Sequence, residues 1–233
     1  MIPELKVPYL KESDIEHAAM ELLRRYSTWK GAAARPPIDV DNIVEGYFGL
    51  DLAFIDLTEL LGMPDVLGAT FLKEKRVFIE QSLDLEGKEG RLAFTLAHES
   101  GHWYMHRPLI EAERVVAPLF STSEIPEQPA IVCRSSQKKA RAEWQADLFA
   151  ACLLMPSADV RATMKALCGD KAPTWERVEE RRKKRELDER LRDLAAEVIE
   201  RGRFTNVSNE AMRYRLLDLN LVIDASNPQR SLL

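Results

Sequence analysis

Two histidines and a glutamate near the middle of the chain have the spacing of a metal-dependent hydrolase. His98, Glu99 and His102 form the pattern H-E-x-x-H. On an α-helix this spacing places the two imidazoles on one face, about 6 Å apart along the axis, where both can bind one metal ion. The Glu99 carboxylate leaves the helix at a different angle and can reach a water on that metal. These residues predict a zinc hydrolase.

The third metal ligand decides the class of the site, because a catalytic zinc has three protein ligands and a position for water. His106 lies about 12 Å from His98 along a continuous helix, which is too far for one ion. We expect His106 to be a partly buried packing residue. A third histidine of the H-E-x-x-H-x-x-G-x-x-H type would fall at position 108, which is Pro108. The third ligand must therefore come from another element.

A second predicted helix carries the sequence EWQAD at residues 143–147 and supplies the better candidate. Glu143 and Asp147 share one helix face. Glu143 can bind the ion while Asp147 accepts a hydrogen bond from a ligating histidine and fixes its tautomer. Glu99 would then act as the general base, taking a proton from water and passing it to the leaving amine. Zn²⁺ is the only cofactor that this set of residues predicts.

Apolar periodicity and turn residues predict the elements that position these side chains. The predicted helices cover residues 13–26, 39–47, 88–106, 137–155, 158–167 and 175–201. Residues 51–56 are predicted to form a strand, and residues 68–80 a hairpin. Arg107 and Pro108 are expected to end the helix that carries the histidines.

This order of elements predicts an α+β fold that is mostly helical. Residues 1–167 would form a zincin-like metallopeptidase domain with a small β-sheet. Residues 174–223 would form a small, helix-turn-helix-like helical domain, and residues 224–233 a flexible tail.

Residues 108–136 contain four prolines and no clear period, and they are predicted to be a long loop at the mouth of the site. Cys133 lies in this segment. One hypothesis is that its thiolate closes the fourth zinc position and keeps the enzyme latent. The other is an inert, buried thiol.

Residues 204–219 resemble the second half of a helix-turn-helix, with a Ser208 cap and with Arg213 and Arg215 where a reading helix exposes charge. Residues 174–233 hold 13 basic and 12 acidic side chains, so they lack the positive excess that binds phosphates. We therefore interpret the segment as a packing element, and DNA binding is disfavoured.

Two separate runs of sequence match a known family in the same order. They are FTLAHESGHW at residues 94–103 and EWQADLFAACLLMP at residues 143–156. Together they resemble the ImmA/IrrE family of metallo-endopeptidases. The resemblance is most specific over residues 91–156 and extends more weakly to residues 204–222. The segment between the two motifs is longer than in compact members of the family.

The resemblance implies zinc held by His98, His102 and Glu143, with Glu99 as the catalytic base. It also implies a protein substrate, a helix-turn-helix transcriptional repressor that is cleaved to relieve repression, as in stress responses. Two alternatives remain open. The chain could be a non-enzymatic, metal-binding transcriptional regulator that binds DNA or a partner, or an anti-repressor that sequesters its partner without cutting it.

Composition and charge indicate the class of protein and its expected cellular location. The chain has 233 residues, enough for a full apolar core, and a formal net charge of -5, which gives no general attraction to nucleic acid. Its three cysteines show no paired spacing, and residues 1–16 contain charges where a signal peptide needs an apolar run. We expect a cytoplasmic protein with no membrane-spanning segment. The oligomeric state is not predicted.

Overall fold

The computed structural model describes residues 7–109, 131–134, 140–184, 186 and 188–226. Regular α-helices occupy much of this part of the chain: α1 Glu12–Lys30, α2 Val40–Asn42, α3 Leu57–Leu61, α4 Glu89–Gly101, α5 Arg141–Leu154, α6 Ser157–Cys168, α7 Val178–Lys184, α8 Glu189–Gly202 and α9 Asn209–Asp218. Helix α2 continues as a π-helix over Ile43–Tyr47, and α4 as a π-helix over His102–His106. Gln81–Leu83 forms a 3-10 turn.

The larger sheet has the strand order β1-β3-β2-β4. Its strands are β1 Asp51–Ile55, β2 Val66–Phe71, β3 Arg76–Glu80 and β4 Ile131–Arg134. Strands β2 and β3 form the predicted antiparallel hairpin, and β1 runs parallel to β3. Strand β4 pairs antiparallel with β2, with Cys133 opposite Gly68. The fold is α+β and mostly helical with a small sheet, as the sequence predicted.

Two predictions about the segment after the histidines were wrong. Pro108 does not end the helix, because the backbone stays helical through residues 107–109. The expected loop over residues 108–136 is not entirely loop, because Ile131–Arg134 forms strand β4. The β-branched residues at the start of this run favour the extended backbone of an edge strand.

Helix α5 lies at the centre of the helical layer, where α1 and α4 pack against it. Phe149 of α5 is fully buried, and a Cβ atom on Gly101 of α4 would lie only 3.1 Å from its ring. The absence of a side chain at Gly101 therefore permits the close approach of the two helices. Residues 95–103 of α4 and its continuation are buried, as expected for a helix that carries polar groups into the interior.

The predicted helix over residues 175–201 is not continuous. Thr174–Trp175 forms strand β5, which pairs in parallel with β6, Ile223–Asp224. Helices α7 and α8 are separate, and α8 begins at the buried residue Asp188, whose carboxylate accepts a hydrogen bond from the backbone of Arg190. The N-cap at Asp188 starts a new helix, so the apolar periodicity over residues 175–201 belongs to two helices and not to one.

The main apolar core contains side chains from every described α-helix except α3, whose Leu57 packs in a smaller cluster with Val66 and Ala69. Arg215 of α9 lies 2.9 Å from Glu16 of α1, so the C-terminal helices are tied to the first helix. The division of the chain into domains at about residue 167 remains a prediction, and residues 227–233 of the expected tail lie outside the described residues. Within the described part of the chain, every helix is too short or too polar to cross a lipid bilayer.

Candidate metal centre

Three side chains from two helices converge on one point beside the sheet. The Nε2 atoms of His98 and His102 lie 3.0 Å apart. The Glu143 carboxylate closes the triangle, with one oxygen 3.3 Å from His98 Nε2 and the other 3.2 Å from His102 Nε2. Among the described residues, these three form the group of histidine and acidic side chains that could hold a metal ion. The crossing of α4 and α5 thus brings together the residues that the two motifs singled out.

The donor atoms fit a small divalent cation. Asp147 Oδ1 lies 3.0 Å from His98 Nδ1, and a carboxylate oxygen accepts the proton of that nitrogen. The Nε2 atom of His98 therefore presents a lone pair toward His102 and Glu143. Tetrahedral zinc with bonds of 2.0–2.1 Å separates its ligand atoms by about 3.3 Å, close to the distances seen here.

The charge states also suit cation binding. Burial lowers the pKa of His102 to about 4, so its imidazole is neutral near pH 7. Burial alone raises the pKa of Glu143, but its close contacts with His102 and His98 outweigh this effect, and the net pKa lies well below its usual range. Two imidazoles, of which His102 is neutral, and one carboxylate form an attractive site for a metal cation.

Glu99 lies beside this group and is fully buried. Burial raises the pKa of its carboxyl to about 7, and the negative charge of Glu143 acts in the same direction. The Thr70 hydroxyl donates a hydrogen bond to Glu99 Oε2, which opposes the rise. Within the described residues, the other oxygen, Oε1, makes no hydrogen bond. That oxygen is available to accept a proton.

Strand β2 positions the Glu99 carboxylate. A Cβ atom on Gly68 would lie 2.7 Å from Glu99 Oε1, so any side chain there would force the carboxylate to shift. Sequence analysis identified Glu99 and missed both Gly68 and Thr70. Their spacing of two residues in a predicted strand places them on the same face, which is the signal that would have identified them.

His106 does not join the three candidate ligands, in agreement with the distance argument from the sequence. Its Nδ1 atom lies 2.9 Å from His102 Nδ1, and its Nε2 atom 2.9 Å from the side-chain oxygen of Gln145. The residue is buried and hydrogen-bonded at both nitrogens, which is more than the packing role expected of it. Sequence analysis did not identify Gln145.

Two further expectations concern residues away from this centre. Arg215, expected on an exposed reading face, is buried and paired with Glu16, so it is not available to contact DNA. The side chain of Cys133 lies outside the described residues, and its proposed role in latency remains a prediction.

A search of curated proteins finds no significant match. A solved structure of a Mycobacterium tuberculosis transcriptional regulator is similar, with a TM-score of 0.46 and 18% sequence identity. The similarity covers 94% of this chain but only 48% of that one, so this chain spans about half of its length.

A family model also matches the chain. The model of the IrrE N-terminal-like domain, a peptidase family, matches residues 57–217. This range contains both sequence motifs and all three side chains of the convergent group. The chain belongs to the IrrE N-terminal-like family, which confirms the resemblance to ImmA/IrrE proteins.

Proposed function

We propose that this protein is a zinc-dependent endopeptidase that hydrolyses a peptide bond in a specific protein. The observation that carries the proposal is the convergence of His98, His102 and Glu143 at 3.0–3.3 Å, with the buried carboxylate of Glu99 beside them. Membership of a peptidase family supports the same activity.

Each residue has a distinct part in the proposed reaction. His98, His102 and Glu143 would hold the zinc ion, and Asp147 would hold the His98 ring in place. Bound zinc supplies Lewis-acid chemistry, which lowers the pKa of water and polarises a carbonyl group. Glu99 takes the proton of the attacking water at Oε1 and transfers it to the nitrogen of the leaving amine. The water oxygen bonds to the carbonyl carbon, and the carbon–nitrogen bond breaks.

We propose a helix-turn-helix transcriptional repressor as the substrate, so that cleavage relieves repression in the cytoplasm. The support for this choice is family membership together with the ImmA/IrrE motifs. The segment of residues 108–136 follows the π-helix that continues α4 and contains strand β4, which pairs with Gly68 and Thr70 beside Glu99. Selectivity for the substrate is therefore expected to depend on this segment.

A cleavage assay tests the substrate. The zinc-loaded protein is incubated with the repressor encoded beside its gene, with and without a chelator, and the products are identified by mass spectrometry. We expect two fragments from one cut, and no fragments when the chelator is present. An intact repressor held in a stable complex would contradict cleavage and indicate an anti-repressor.

A further inference from the structure

We propose that His106 and Gln145 are positioning residues that present the Nε2 lone pair of His102 to the metal. They do so through a hydrogen-bond relay that ends at the backbone of Pro8, in the N-terminal segment. The inference rests on the proposed function for the identity of the metal site, and it assigns roles to residues outside the H-E-x-x-H and E-x-x-x-D motifs.

The relay consists of three consecutive short contacts. His102 Nδ1 lies 2.9 Å from His106 Nδ1, and His106 Nε2 lies 2.9 Å from Gln145 Oε1. The Gln145 amide nitrogen lies 2.8 Å from the carbonyl oxygen of Pro8. His102, His106 and Gln145 are each no more than 1% exposed, so solvent does not compete for these contacts.

The Pro8 carbonyl determines the direction of every hydrogen bond in the relay. A carbonyl oxygen can only accept, so the Gln145 amide nitrogen must donate to it. Gln145 Oε1 then faces His106 and accepts a proton from His106 Nε2. In a neutral imidazole this leaves His106 Nδ1 without a proton, so it accepts from His102 Nδ1. His102 is thereby protonated at Nδ1, and its Nε2 atom keeps a free lone pair.

The opposite orientation of the Gln145 amide is unfavourable. It would place two oxygen atoms, that of Gln145 and that of Pro8, 2.8 Å apart in a buried site with no proton between them. The relay therefore has one consistent arrangement of protons.

The local backbone contributes to this arrangement. Residues His102–His106 form a π-helix, in which the amide of Arg107 bonds to the carbonyl of His102. Single π-turns occur often at functional sites. His102 and His106 are four residues apart on this helical segment, and the His106 ring lies beside the outer nitrogen of His102.

The two histidines of the site are thus held in different ways. The partner of His98 is the carboxylate of Asp147, which is partly exposed. His102 is instead held by His106 of the π-helix and, through it, by Gln145 of α5. Both residues are neutral and fully buried. The relay adds no negative charge to the site, and it joins His102 to the backbone carbonyl of Pro8.

Zinc affinity measures the contribution of the relay. We expect His106→Leu and Gln145→Leu to weaken zinc binding by about 10–100-fold, the usual cost of losing a partner of a metal-binding histidine. His106→Gln keeps an acceptor and a donor and should recover most of the affinity. Arg141→Gln is the matched control, because Arg141 also bonds the N-terminal segment, at the carbonyl of Val7, but is not part of the relay. Its zinc affinity should equal that of the parent.

The tautomer of His106 in the unaltered protein gives a second readout that needs no variant. In the zinc-loaded, nitrogen-15-labelled full chain, we expect NMR to show a proton on His106 Nε2 and none on Nδ1. A proton on His106 Nδ1, or His106→Leu and Gln145→Leu variants that bind zinc as tightly as the parent, would overturn the relay. A parent that binds zinc and cleaves no repressor would contradict the proposed peptidase activity alone.

Discussion

The Thr70 hydroxyl donates a hydrogen bond to the Oε2 atom of Glu99, and this contact ties strand β2 to helix α4. Both groups are fully buried. Because the hydrogen bond favours the ionised carboxylate, it lowers the pKa of Glu99 against the effect of burial. Thr70 therefore increases the fraction of the proposed base that is ionised near neutral pH.

Replacing Thr70 by valine should shift the pH dependence of cleavage. Glu99 accepts a proton only when ionised, so activity is lost as the pH falls through its pKa. Without the hydrogen bond the pKa rises, and the acid limb of kcat/KM should move to higher pH by about one unit. Thr70→Ser keeps the donor and should retain the parent profile. Coincident acid limbs for Thr70→Val and the parent would contradict this role.

Gly68→Ala should impair cleavage while leaving the metal site intact. The added Cβ atom would lie 2.7 Å from Glu99 Oε1, and the carboxylate is too buried to move away freely. Because Gly68 approaches Glu99 and not the three candidate ligands, we expect at least a tenfold loss of kcat, since small misplacements of catalytic groups are costly. Zinc affinity, measured by chelator competition, should not change. Full activity of the variant would contradict the positioning of Glu99 by strand β2.

Asp147→Ala should weaken zinc binding by about 10–100-fold, because His98 loses the carboxylate that fixes its tautomer. Asp147→Asn retains an acceptor oxygen without the charge and should fall between the parent and the alanine variant. Competition with a chelator of known affinity measures the order of the three proteins. Equal affinities would show that Asp147 does not support the metal site.

Arg215→Met should lower the stability of the whole fold. The guanidinium group pairs with Glu16 of α1 and bonds to the carbonyl of Met155 at the end of α5. Removing one partner of a buried ion pair costs about 3 kcal/mol in free energy of unfolding, and because the Glu16 side chain is 32% exposed we expect a smaller loss than this. Urea denaturation measures the loss, and Arg201→Met, at an exposed position of α8, is the control that should change little. Equal midpoints for the two variants would contradict a structural role for Arg215.

The site residues that share a helix face could be predicted from the sequence, because their spacing follows helical periodicity. Residues four apart share a helix face, so His98 could be grouped with His102, and Glu143 with Asp147, from their spacing alone. The crossing of the two helices was inferred from chemistry, because two histidines alone leave a catalytic zinc one ligand short.

The remaining contacts could not be predicted because they join distant segments. The contact between Gln145 and Pro8 joins residues 137 positions apart, and the contact between His106 and Gln145 joins residues 39 positions apart on two different helices. The break between α7 and α8 was missed for a similar reason. The charged pattern continues through it, and only the buried cap at Asp188 shows where a new helix begins.

The most direct test of the central claim compares the parent with Glu99→Gln in two measurements, zinc content and repressor cleavage. The substitution removes the base and leaves His98, His102 and Glu143 unchanged. We expect one zinc ion per chain in both proteins and cleavage by the parent alone, while His98→Ala and Glu143→Ala lose both zinc and cleavage. A Glu99→Gln protein that cleaves the repressor as fast as the parent would contradict the mechanism.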